Sequence, residues 1–393
     1  MEMKNEKIDE MSSNNVAVPS EDTSAQPPTI RAWLRSNRWA PVKFINTILT
    51  WFVGNRHADY GLAVMRISTG TLTLGWLLLN IPVAARIWGP GSAYWDGFRE
   101  ILGYQWPLDL LRNAGTGPFW LWYAVTIVLA IAFLLGWRTR IVTPLLFVFY
   151  AGINAQNVTI ADGGNYFLRI MLIYLVFADI SRRWSLDSRR RAKKNLKETE
   201  TGTVLHNLAL ILVVGQLCLV YLEAGLYKVQ GLLWQNGTAM YYPLQSDAYG
   251  VFPWLSDMAT NFGPVVVLVT YFSVLIQIAF PFMLFNKFTR RIALVGILAM
   301  HLGIAVLMGL PFFSGVMASA DAVLVSGTTW VLIVAWLDRT GRNILGRLPK
   351  AAPREKSAAD SSPSAASPAP AKLPATPNSG TKKDSEPDLT PIS

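Results

Sequence analysis

The sequence predicts an all-α, polytopic membrane protein with about eight transmembrane helices and both termini in the cytoplasm. Three observations carry this. Of 393 residues, 52% are hydrophobic and only 15% charged, against about 25% charged in a typical globular chain. The apolar residues gather into runs close to the length of a spanning helix, about 20 residues. The excess of Lys and Arg, a net charge of +10, falls in alternate gaps between those runs, which is the pattern of cytoplasmic loops. A basic chain can also be a nucleic-acid binder, but cations concentrated in the gaps between membrane-length runs favour a membrane orientation signal over that class. A single cysteine, Cys218, allows no intramolecular disulfide, and His57, His206 and His301 match no metal-ligand spacing.

Taken in order, residues 1–30 are polar and lack the apolar core of a signal peptide, so they read as a disordered tail and leave insertion to the spans themselves. Residues 31–57 mix Arg and Lys with Trp and set Phe44, Ile45, Ile48, Leu49 and Phe52 on one helical face. That is the pattern of an amphipathic helix lying in the membrane interface. Residues 58–340 form the transmembrane domain, with spans at roughly 60–80, 118–136, 141–157, 166–181, 204–228, 264–286, 291–310 and 316–337. The basic gaps WRTR (137–140), SRRWSLDSRRRAKKNLK (181–197) and NKFTRR (286–291) alternate with 154–165, 229–262 and GLPFFSG (309–315), which contain no Lys or Arg. Residues 341–393, rich in Ala, Pro and Ser, read as a second disordered tail. The expected location is the cell membrane.

Charges inside a span are costly and by default suggest function, with depth deciding how each is read. Arg66, about two turns into the first span, reads as a side chain snorkelling to the interface. Arg169, Glu223, Lys228 and Asp321 fall in the outer half, and His301 stands near the middle of its run. Glu223 and Lys228 lie about 140° apart around a helix, so they are not neighbours; Glu223 is expected to pair with Arg169 of the fourth span. Lys228 fits either an interfacial lysine or a lysine in an apolar pocket, where loss of hydration favours a neutral amine able to act as a base. His301 fits either an imidazole hydrogen-bonded between helices or a proton carrier. The turns GGN (163–165) and WQNG (234–237) put Asn165 and Trp234 beside helix ends, where backbone can approach a ligand. The aromatic stretches WGPGSAYWDGF (88–98) and GYQW (103–106) read as an interfacial belt or as the cap of an apolar pocket. The inverted repeats and broken-helix pairs of transporters are not evident.

Three segments share a larger pattern. YLEAGLYKVQGLLWQNGTAMYYPLQ (221–245) has an Ala-Gly pair, a lysine shortly after, then Trp and Gly; NYFLRIMLIYLVFADISRRWSLD (165–187) ends in a Trp-Ser-x-Asp turn; HLGIAVLMGLPFFSGVMASA (301–320) opens with His and runs into Phe-Ser. In this order they resemble the HTTM (horizontally transferred transmembrane) domain family, whose relatives include the vitamin K-dependent γ-glutamyl carboxylases, and the resemblance covers roughly residues 58–340. It implies a membrane enzyme whose substrate is vitamin K hydroquinone or another quinol. The lysine of the first segment is, in the carboxylases, the base proposed to deprotonate the hydroquinone and start its oxygenation to an epoxide, which gives that role to Lys228. By their depth in the spans rather than by the resemblance, His301 would join Lys228 as a catalytic or orienting group, Glu223 would tune and Arg169 would supply a counter-charge, while Trp234 and Asn165, beside helix ends, would contact substrate. Two departures stand out. Gly163 and Gly164 occupy the place of the carboxylases' Asn-His pair, and nothing after the last span resembles their extracytoplasmic substrate-holding domain. Bacterial relatives of the sporulation-delaying protein B type imply an alternative, a non-enzymatic factor for maturation, export or immunity of a secreted peptide. The implied partners are the lipid bilayer, a lipidic quinol and, in the alternative, that peptide; no metal and no nucleic acid is expected.

Overall fold

A computed structural model describes residues 40–90, 92, 106–108, 110–111, 114–157, 159–194 and 199–347. The expectations for residues 1–30 and 348–393, and for most of the aromatic gap after Trp88, lie outside the described residues; residues 341–347, expected as the start of the second disordered tail, instead continue a helix that runs to Arg347. Every regular element among them is helical: α1 (Ala40–Gly54), α2 (Asp59–Asn80), α3 (Ala84–Trp88), α4 (Thr116–Leu135), α5 (Thr139–Asn154), α6 (Gly163–Phe177), α7 (Leu186–Lys194) and α8 (Glu200–Val229). Short helices α9 (Leu232–Gln235), α10 (Tyr241–Leu244) and α11 (Pro253–Thr260) follow, then α12 (Gly263–Met283), α13 (Lys287–Leu307), α14 (Pro311–Asp321) and α15 (Gly327–Arg347). The described residues up to Leu337 form one compact unit. Within it α2, α4, α5 and α6 pack in sequence, α6 meets α8, α8 meets α12, and α12 and α13 lead to α14, which returns to α2 and α6.

Local chemistry sets the helix ends. Asp162 caps α6 by accepting from the Asn165 N–H at 2.9 Å, Thr199 caps α8 through Gly202, and Asn286 caps α13 through Phe288. Helix α4 ends on Gly136 at φ 66°, a left-handed position at which the Trp137 N–H turns back to the Ala132 carbonyl.

Among the described residues, five stretches are long and apolar enough to cross a membrane: Asp59–Trp88, α4, α8, α12 and α13. Helices α5 and α6, expected at 141–157 and 166–181, run instead over 16 and 15 residues, shorter than the about 20 needed to span unaided. The last expected span, 316–337, is not one straight helix. Helix α14 and a 3₁₀ turn give way to α15 through a bend of 118°, and α14 begins at Pro311 inside the segment expected as an outer gap. The reason is local: Val325 is extended, and the Ser326 hydroxyl accepts from the Thr329 N–H, starting a new helix. Trp330 Nε1 then donates to the Ala322 carbonyl at 3.1 Å and holds the corner. A bent pair of this kind was not evident in the sequence.

Arg66 also departs from expectation. It does not snorkel: it is 0% exposed, and its guanidinium donates to the carbonyls of Ile180, Phe133, Leu134 and Trp184. Two of these acceptors belong to the last turn of α4, whose carbonyls lack helical partners, and two belong to the loop after α6. One side chain therefore locks a helix end to a neighbouring loop.

The same end of the bundle holds a second clamp. Asn207 of α8 donates its amide to the carbonyls of Trp51, Phe52 and Asn55 at the end of α1 and accepts from the His57 N–H. Beside it, His206 Nδ1 accepts from the Asp179 N–H at 3.0 Å, and Nε2–H donates to the His57 carbonyl at 2.8 Å. The Asp179 carboxylate, two residues beyond α6, is buried and held by Arg56 and Arg191. Burial alone would push this carboxyl up, but the Arg191 hydrogen bond and the charges of Arg191, Arg56 and Arg182 outweigh it, holding it below the usual carboxylate range. A depressed value means stabilisation that is complete above the unfolded-state value, about 3.9, and is lost as pH falls through the folded value. Asp179→Asn should thus lower the thermal midpoint of detergent-purified protein at pH 7, and the gap to wild type should close in strong acid. A gap independent of pH would count against this assignment.

Candidate functional site

The expected site residues come from four elements, and only some of them meet. Lys228 lies in the last turn of α8. Its ammonium donates to Gln277 Oε1 of α12 at 2.8 Å and to the Ala224 carbonyl at 3.4 Å, and it sits 5.3 Å from the ring centroid of Trp234. Trp234 reaches this position because the chain turns at Gly231 into α9, folding the indole back over the end of α8. Every hydrogen-bond acceptor of Lys228 among the described residues is neutral. Gln277, which fixes the amine, was not anticipated; the available signal was a lone glutamine in the apolar run VLIQIAF.

His301 of α13 is 3% exposed and within electrostatic reach of Lys228. Its Nε2 lies 3.2 Å from the hydroxyl of Tyr221, which donates to Asp321 Oδ2 at 3.1 Å. With the tyrosine proton directed at Asp321, the phenol oxygen accepts from His301 Nε2–H, a chain satisfied by one neutral imidazole tautomer. His301 Nδ1 and Asp321 Oδ1 are buried without a hydrogen-bond partner among the described residues. Three helices are joined here, since Tyr221 is on α8, His301 on α13 and Asp321 ends α14. Tyr221 precedes Lys228 by seven residues, which returns to nearly the same helical face. That spacing is the signal by which the tyrosine could have been found.

The other expected members are placed apart from the amine. Glu223 is exposed, and no ion pair joins it to Arg169 among the described residues. Arg169 instead stacks its guanidinium over Tyr166 at 4.6 Å. The expected pairing fails because an aromatic face on the preceding turn is already in reach, whereas Glu223 points away from the bundle. Asn165 is buried in the cap of α6, donating to Asp162 and accepting from the Tyr150 hydroxyl, so its polar groups are used structurally.

Gly163 and Gly164, at the start of α6, are closely packed. A Cβ on Gly164 would lie 2.8 Å from the Phe313 Cα, and one on Gly163 would lie 3.1 Å from the Phe313 ring. The Phe313 ring in turn packs edge-on to His301, with centroids 5.8 Å apart. Backbone cannot yield as a ring can, so no side chain fits at Gly164 without moving α14. In a helix, alanine ordinarily stabilises relative to glycine by about 0.5–1 kcal/mol. Gly164→Ala should instead destabilise by about 1–3 kcal/mol, while Gly163→Ala should be close to neutral. Thermal midpoints of the two variants side by side test this; equal effects would argue against the packing.

A meandering set of long apolar helices, with buried polar groups confined to the bundle interior, defines a multi-pass helical membrane protein. The family model of the HTTM domain matches residues 57–330, and the chain belongs to that family. It is also similar to the uncharacterized protein YitO of Bacillus subtilis (strain 168), at 26% identity over 201 residues covering 49% of this chain and 63% of YitO. The chain thus matches less than two thirds of that relative's length. No solved structure matches.

Proposed function

We propose that the protein is an eight-segment membrane enzyme of the cell membrane, with both termini cytoplasmic, in which Lys228 accepts a proton from the acidic hydroxyl of a lipidic quinol. The observation that carries this is the setting of the Lys228 amine: neutral acceptors on one side, an indole face on the other and no carboxylate partner among the described residues. Gln277 orients the amine, and Trp234 offers a flat apolar surface to a ring. The His301–Tyr221–Asp321 hydrogen bonds, centred about two turns back along α8 from Lys228, would offer a path for a proton between α13 and α14. A bound quinol, once deprotonated, would supply the chemistry by reacting with molecular oxygen as the oxidant, one oxygen atom ending in the epoxide and the other leaving as water. The family resemblance supports vitamin K hydroquinone or a related quinol as substrate. The proposal does not extend to glutamate carboxylation, because the position of the carboxylase histidine is closed by Phe313.

The test is quinol-dependent oxygen uptake by the purified protein in liposomes, with product epoxide followed by mass spectrometry. Wild type should turn over and Lys228→Ala should not. Absence of turnover in wild type would defeat the enzyme reading and leave the peptide-maturation alternative.

A further inference from the structure

At the bundle end occupied by the Asp179 clamp, the start of α5, the loop after α6, helix α7 and the residue before α8 enclose a cleft of about 1170 Å³. Eight cationic side chains and two carboxylates line it. The carboxylates are already committed. Asp179 holds Arg56 and Arg191, and Asp187 accepts from the backbone and hydroxyl of Thr139 and pairs with Arg190 at 3.5 Å. Arg138, Arg140, Arg183 and Lys194 have no carboxylate partner among the described residues. Two of them rest on aromatic faces, Arg183 over Tyr60 and Arg138 over Trp137.

A basic loop needs only to be solvated if it serves solely to orient the chain. This one is a concave site with fixed walls: Arg191 also bonds Ser181, and Thr139 donates to the Ser181 hydroxyl at 3.0 Å. A cleft lined by one sign of charge focuses the field and concentrates counter-ions. Guanidinium groups match phosphate oxygens in geometry as well as charge. The volume of about 1170 Å³ slightly exceeds that of usual small-ligand sites, about 300–1,000 Å³, and accommodates a headgroup. Because the cleft lies where several helices end, it stands at the depth of lipid phosphates, and basic pockets between helix ends are suited to anionic lipids.

We propose that this cleft binds a phosphate-bearing anion, supplied by the headgroup of an anionic lipid. The full chain, purified in neutral detergent, would be exposed to palmitoyl-oleoyl phosphatidylglycerol or phosphatidylcholine and examined by native mass spectrometry. Phosphatidylglycerol should be retained at least about five-fold over phosphatidylcholine, with retention falling as salt is raised. Arg140→Gln with Lys194→Gln should remove most of that preference. Lys287→Gln with Arg290→Gln, which deletes the same charge from the first turn of α13, should not. Lys194→Gln alone provides a milder variant and should give a partial loss. Displacement of the lipid by millimolar inorganic phosphate would keep phosphate recognition and make a free anion the natural source. Equal loss in the cleft and control variants, or no lipid preference in wild type, would overturn the proposal.

Discussion

Replacing Arg66 with methionine should destabilise the protein by about 3–5 kcal/mol, the usual scale for removing one side of a buried charged contact. Methionine fills much of the arginine's volume, so the loss isolates the hydrogen bonds rather than a cavity. Of the four carbonyls that Arg66 serves, only Phe133 has a second donor among the described residues, the Gly136 N–H. The others, buried at Ile180 and part-buried at Leu134 and Trp184, would lose their donor, each at up to about 1–3 kcal/mol before relaxation. At roughly 2 °C per kcal/mol for a large chain, the thermal midpoint in detergent should fall by about 6–10 °C. Arg66→Lys should recover little, because one ammonium cannot reach carbonyls on α4 and on the loop after α6 together. A methionine variant as stable as wild type would show that the contacts contribute nothing net.

The second large effect is expected at Lys228, where Lys228→Arg separates base from charge. Guanidinium keeps the positive charge and the stacking on Trp234 but remains protonated at any working pH. A base role predicts quinol-dependent oxygen uptake reduced as severely as in Lys228→Ala, with near-normal thermal stability. Gln277→Leu should give a milder deficit, because the amine keeps its place but loses the 2.8 Å contact that fixes its direction. If Lys228→Arg retains full function, the lysine serves as a charge and the proton-acceptor reading fails.

The long spans are legible in sequence because each is a self-contained apolar run: α4, α8, α12 and α13 lie close to their expected positions. The corner between α14 and α15 is not legible to the same reading. Averaged hydropathy passes smoothly over Val325 and Ser326, whereas the break depends on one hydroxyl capping a new helix. Depth along a span likewise misreads Arg66, since depth does not tell which face of a helix meets its neighbours. At the candidate site, the charged and aromatic members Lys228, Trp234 and His301 stood out in sequence. Their neutral supports, Gln277 and Tyr221, did not, because an uncharged polar residue in an apolar helix looks the same whether it holds a partner or faces lipid.

Arg66, His206 and Asn207 share a property with consequences for how this chain can drift. Each grips main-chain carbonyls, so the residues gripped contribute nothing through their own side chains. The dependence is one-sided: position 207 is tied to asparagine by the three carbonyls it must reach, while residue 52 can change identity without disturbing the contact. Covariation between such positions should therefore be weak despite direct touch, and a saturation scan should show isolated intolerant sites among permissive neighbours.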